Sequence, residues 1–116
     1  MLYYLLAIIA GTTLSSQVAI NGKLLSYLGS PILTAFISFL IGTAGLGVIY
    51  LVSAYYGLQT IPNFSALSQT SFWMWTGGLL GAFYIFTTVF VAPKIGFGNM
   101  FSIIVASQII LAIIFD

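Results

Sequence analysis

Residues 102–115 read SIIVASQIILAIIF, and residues 5–10 read LLAIIA. A strand of a membrane barrel alternates apolar and polar side chains with a period of two, and neither stretch does so. Both are apolar on every side. Only a helix, which satisfies its own backbone hydrogen bonds, carries such segments through hydrocarbon. Working outward from them, the same character fills the chain: 61% of its 116 residues are hydrophobic and 3% are charged, the charged side chains being Lys23, Lys94 and Asp116. A water-soluble domain carries about a quarter charged residues because its surface must stay solvated. Lipid is therefore the solvent, and the expected fold class is an all-α, polytopic membrane helix bundle.

A spanning helix needs about 20 apolar residues to cross about 30 Å of hydrocarbon. Cutting the apolar runs at their Gly/Pro/Asn clusters predicts four transmembrane helices in one membrane domain, at about 2–22, 31–55, 72–91 and 99–115. Gly29 and Pro31 frame a tight GSP turn, and Pro31 suits the first turn of the second helix because its missing N–H has no intrahelical acceptor to lose. Pro93 and Gly96 mark a second loop, APKIGFG. The polar segment 57–71, GLQTIPNFSALSQTS, reads as a surface loop with a short interfacial turn that buries Ile61, Phe64 and Leu67. The opening Met-Leu-Tyr-Tyr carries no Lys or Arg, and the apolar run after it exceeds a usual signal-peptide core, so the first segment is expected to be retained.

The inventory excludes several function classes. A formal net charge of +1 leaves no basic stripe, so nucleic acid is not a partner. With no cysteine and no histidine, disulfides, thiolate chemistry, zinc sites and haem axial histidines are excluded, and neither a metal nor a cofactor is expected. One carboxylate cannot form a catalytic acid/base pair, so the reading is not an enzyme.

Both lysines fall at loops one and three, which four crossings place on one side; the positive-inside rule makes that side cytoplasmic and the amino terminus external. Tyr3, Tyr4, Tyr55, Tyr56, Trp73 and Trp75 map to the opposite interface as an aromatic belt. A bias of two lysines to none is small, and such a bias permits insertion in both orientations.

Polar residues at membrane depth are costly and point to function. Gln17 and Asn21 are four apart, so they share one helical face. They read either as a hydrogen-bonding patch on a substrate pathway or as interhelical glue, and Gln108 in the fourth helix poses the same choice. Asp116, eight residues after Gln108, reads as a helix-end marker or as a coupling carboxylate on roughly the same face. Lys23 and Lys94 read as snorkelling, topology-setting cations. Small residues recur at four-residue spacing: Gly11 with Ser15, Ser38 with Gly42, Gly77 with Gly81, Gly78 with Ala82, and Ser102 with Ala106. These predict close helix packing, in a bundle that can dimerise.

Residues 17–43, QVAINGKLLSYLGSPILTAFISFLIGT, follow the pattern Q-x-x-x-N-x-x-L, then G-S-P, then an apolar helix with S-F and G-T. Residues 77–108, GGLLGAFYIFTTVFVAPKIGFGNMFSIIVASQ, continue it with G-G-x-x-G-A, A-P-x-x-G and a terminal Gln followed later by Asp. In these features the chain resembles the YdcZ-like family of bacterial inner-membrane proteins, within the drug/metabolite transporter superfamily. The resemblance rests on Gln17, Asn21, Gly29, Pro31, Gly42, Gly78, Gly81, Pro93, Gly96, Gln108 and Asp116 in order and spacing. Two features depart from the family pattern. Ser107 stands where the family usually has Gly, and the family usually adds a fifth helix past the Asp, so the expectation is a truncated chain or a short variant.

The resemblance implies a small exporter, multi-pass in the bacterial inner membrane, working as an antiparallel homodimer or with a paired homologue of opposite orientation. Alternating access at the dimer interface would place Gln17 and Asn21 toward a central cavity. The related small multidrug transporters use a first-helix glutamate for proton exchange, and no Glu occurs here. The expected cargo is a neutral or weakly polar solute. The alternative is a non-transporting accessory subunit of a larger membrane complex, in which the same polar and small residues only hold helices together.

Overall fold

The computed structural model describes residues 1–59 and 64–116, together with the backbone but not the side chain of Phe64. Four helices are long and apolar enough to cross a membrane, and no strand occurs among the described residues. They are α1 (Leu2–Leu28), α2 (Pro31–Tyr55), α4 (Gly77–Ile95) and α5 (Phe97–Phe115); between α2 and α4 lie a short helix α3 (Phe64–Ser68) and a 3₁₀ turn over Phe72–Trp75.

Local chemistry explains the links. Helix α1 runs six residues beyond the expected end at Gly22, because a lone glycine costs a helix only about 1 kcal/mol and the apolar run continues to Leu28. It stops at Gly29, whose left-handed backbone (φ 73°) closes the last turn with an N–H bond to the Leu25 carbonyl at 2.8 Å. Ser30 then caps α2, its Oγ accepting the Leu33 N–H at 3.1 Å, and Pro31 fills the first position.

The expected APKIGFG loop is corrected to helix on both sides of one residue. Pro93 sits inside the last turn of α4, where its missing N–H costs one bond to the Val89 carbonyl, and α5 starts directly after Gly96. Gly96 takes φ 90° and ψ 153°, a conformation reserved for glycine, so a single residue reverses the chain. Helix α4 also begins later than expected, since Phe72–Trp75 form a 3₁₀ turn tied down by Trp75 Nε1–H donating to Thr70 Oγ1 at 2.8 Å. Of the interfacial turn, Ile61 lies outside the described residues, and Leu67 is exposed at its edge.

Helix α4 is the hub, packing against α1, α2 and α5, while α1 also packs against α2. One apolar cluster joins Val18 of α1, Ala92 of α4 and Met100 of α5; the other joins Ala35 of α2 to Ile85 and Val89 of α4, with Leu25 and Phe39 against it. Helix α5 hangs on α4. The chain exposes 9230 Å², against about 6,200 Å² for a globular fold of this mass. Its radius of gyration is 16.9 Å, against about 13 Å. Most apolar side chains thus face outward, as a lipid-solvated chain requires.

Candidate functional site

Helix α1 is about 40 Å long, and Gln17 stands about 22 Å from its start, near mid-membrane. Asn21 follows one turn later on the same face. It is only 3% exposed, and its Nδ2 is fully buried with no hydrogen-bond partner among the described residues. The other buried polar groups handle the same difficulty differently. Thr34 Oγ1 donates to the Ser30 carbonyl and Thr88 Oγ1 to the Ile85 carbonyl, each at 2.8 Å, so these hydroxyls are satisfied within their own helices. An unpaired buried amide costs about 1–3 kcal/mol.

Gln17 and Asn21 line a cavity of about 420 Å³ between α1 and α2, with Ser38 opposite and Ile20, Leu24 and Ile41 around them. Thr13 and Ser16 complete its wall, their hydroxyls donating to the Ala10 and Thr12 carbonyls at 2.8 Å. A second cavity of about 340 Å³ lies on the other side of Gln17 and Ser38, lined by those two together with Gly42, Thr43, Leu46 and Gly78. The two cavities share the Gln17–Ser38 wall. No charged residue lines either one.

The structure brings Gln17 and Asn21 together and leaves Gln108 apart. Gln108 is exposed on α5 and lines neither cavity. Asp116 ends α5 in a shallow depression walled by that helix alone, Ile109, Ala112, Ile113 and Phe115 being its other members. Lys23 and Lys94 stay near the loop end: Lys23 Nζ lies 5.6 Å from the Tyr27 ring centroid and Lys94 Nζ 5.1 Å from that of Phe90. Gly29, Pro31, Pro93 and Lys94 line one niche, which puts the two tight links at one end of the bundle.

Among the small residues, Gly81 faces the Phe39 side chain of α2, and a Cβ there would stand in ordinary van der Waals contact, 3.4 Å from Phe39 Cζ. At Gly11, Gly42, Gly77 and Gly78 an added Cβ would meet nothing within 4 Å, so no described residue packs closely against them. Ser15 is exposed, while Ser38 and Ala82 are half-buried.

Sequence reasoning treated Ser38 only as a packing residue and missed Tyr84. The Tyr84 hydroxyl is buried without a partner among the described residues. Its signal was position: Tyr84 stands mid-helix, whereas Tyr3, Tyr4, Tyr55 and Tyr56 stand at helix ends.

A mostly apolar cavity that carries Gln17, Asn21 and Ser38 in its wall, in a chain with four helices long enough to cross a membrane, agrees with the one comparison that matches. A family model described as "Putative inner membrane exporter, YdcZ" covers residues 2–116. The chain belongs to the YdcZ family. Its membership supports a membrane transporter of the exporter type, and it places the Gln17–Asn21 face and both tight links inside the matched region. Among the curated proteins and the solved structures compared with this YdcZ family member, none matches.

Proposed function

We propose that the chain exports a small neutral or weakly polar solute across the bacterial inner membrane, as a pair of copies or homologues in opposite orientations that alternate access to the α1/α2 site. The observation that carries this reading is the Asn21 amide, buried and unpaired beside Gln17 and Ser38. A structural amide finds its partner inside the bundle; one buried unpaired in the wall of a cavity has a hydrogen-bond demand that a ligand could meet if the side chain turned toward it. The open glycines of α1, α2 and α4 support a second subunit against this one. The lysine bias, only two to none, permits insertion both ways.

The test compares solutes in the medium of cells producing the wild-type chain with those from cells producing the Gln17→Ala/Asn21→Ala double variant, by untargeted mass spectrometry. The expected result is at least one solute enriched outside only with the wild-type chain. Export that survives in the double variant removes the claim. A chain that exports nothing and is stable only with a different membrane protein indicates the accessory-subunit reading instead.

A further inference from the structure

We propose that the α1/α2 cavity takes its cargo sideways from the bilayer, and that the cargo is an uncharged amphipath whose polar end offers a hydrogen-bond acceptor to the Asn21 amide. The inference rests on the export reading and names its substrate class and route. The cavity is walled by α1 and α2 alone. These two helices and α4 pack pairwise against one another, so a groove lined only by α1 and α2 opens on the side away from α4. Its rim residues Ile20 and Ile41 are 68% and 66% exposed, which makes the mouth apolar. Asn21 stands about 10 Å in from the Leu28 end of α1, at a depth where the medium outside that mouth is acyl chain.

The lining selects against charge. Lys23 is two residues past Asn21 and so projects from the other side of α1, its ammonium held over Tyr27 a turn closer to the loop end. No side chain of the cavity would neutralise a bound cation or anion, and an unpaired charge at this depth is far costlier than an unpaired amide. The lining also selects by hydrogen bonding. Thr13 and Ser16 commit their hydroxyl protons to backbone carbonyls and present only lone pairs, whereas Asn21 Nδ2 holds two unused N–H groups. Nδ2 itself has no accessible surface in this conformation, so a ligand acceptor such as an amide, ester or ketone carbonyl satisfies its N–H groups by drawing the Asn21 side chain into the cavity, while the ligand's apolar part lies on Ile20, Leu24 and Ile41. The volume of about 420 Å³ falls within the range of small-molecule sites. From there the path to the second cavity passes between Gln17 and Ser38.

The test uses the full chain in lipid nanodiscs with ¹⁵N-labelled Asn and Gln side chains, followed by NMR during titration with two probes of one chain length. N,N-dimethyloctanamide is neutral and accepts hydrogen bonds without donating them; octyltrimethylammonium is cationic and does neither. The expected result is a saturable shift of the Asn21 and Gln17 amide signals with the first probe alone. In the Asn21→Leu chain, saturating the Gln17 signal should take at least about tenfold more of it. Leu79→Val, on the exposed surface of α4 and outside both cavities, should retain the Asn21 shift and serves as the folding control. A stronger response to the cationic probe overturns the substrate class while leaving the site standing. An unchanged Gln17 titration in Asn21→Leu, or no saturable shift with either probe, overturns the proposal altogether. So does disulfide linkage of the Ile20→Cys chain to a second copy in native membranes, because the mouth would then be covered by protein. Since binding is read without transport, loss of the Gln17/Asn21 dependence of export would be seen separately.

Discussion

At the scale of single residues, Asn21 differs from its buried neighbours in how its polar group is met. Thr34 and Thr88 are fully buried, yet each hydroxyl reaches a carbonyl one turn back, which a short β-hydroxyl does without leaving the helix. The Asn21 amide finds no such partner. Replacing it with Leu should therefore stabilise the purified chain by about 1–2 kcal/mol while abolishing export, since the unmet desolvation cost disappears together with the donor. Thermal unfolding in detergent beside the efflux comparison checks this, and a variant that is both destabilised and inactive would mark Asn21 as structural. The Gln17–Asn21 pair was legible in the sequence because a four-residue spacing puts both amides on one face in any helix. The exclusion of Gln108 was not, because nothing in a helix's own sequence states which of its faces another helix covers.

At the scale of elements, two glycines and one proline set how the helices follow one another. Gly29 and Gly96 both have positive φ, so Gly96→Ala should cost about 1–3 kcal/mol by forcing a Cβ into that region, measurable as a lower unfolding midpoint. The GSP turn was plain from sequence, since Gly, Ser and Pro each have a defined place at a helix end or start. APKIGFG reads as a loop in sequence because proline normally closes a helix. Here it lies in the final turn of α4, where one lost bond is tolerated and the apolar surroundings favour helix over open backbone. A second pair of substitutions separates internal from external packing. Gly81→Ile should loosen the α2–α4 contact against Phe39 and destabilise the monomer by about 1–3 kcal/mol, while Gly42→Ile, with nothing within 4 Å, should leave the monomer's stability unchanged. If Gly42→Ile nevertheless reduces cross-linking between copies, its helix face meets a partner. Equal destabilisation by both would contradict the described packing.

At the scale of the whole molecule, the chain is a hub helix with three neighbours and a large apolar exterior, and its orientation is the property on which the paired-transporter reading turns. Single cysteines at Tyr3 and Ile95, in a chain with no cysteine of its own, test this with an impermeant maleimide added to intact cells. Opposite-orientation pairing predicts partial labelling at both sites. Labelling of the Tyr3→Cys chain alone would require a separate partner of opposite topology, or favour an accessory role. Composition and local pattern determined by themselves that lipid is the solvent, that the elements are helices and that four of them are long enough to span, because chemistry and backbone hydrogen bonding in hydrocarbon allow no other arrangement of such residues. They also determined that the Gln17–Asn21 face is polar. Only the tertiary structure decided that this face meets Ser38 across a cavity, that Asn21 is left unpaired there, and that Gln108 and Asp116 stand elsewhere. The physical reason is that sequence periodicity defines the faces of each helix, whereas their pairing depends on side-chain fit between helices that are almost uniformly apolar, where hydrophobicity no longer distinguishes inside from outside.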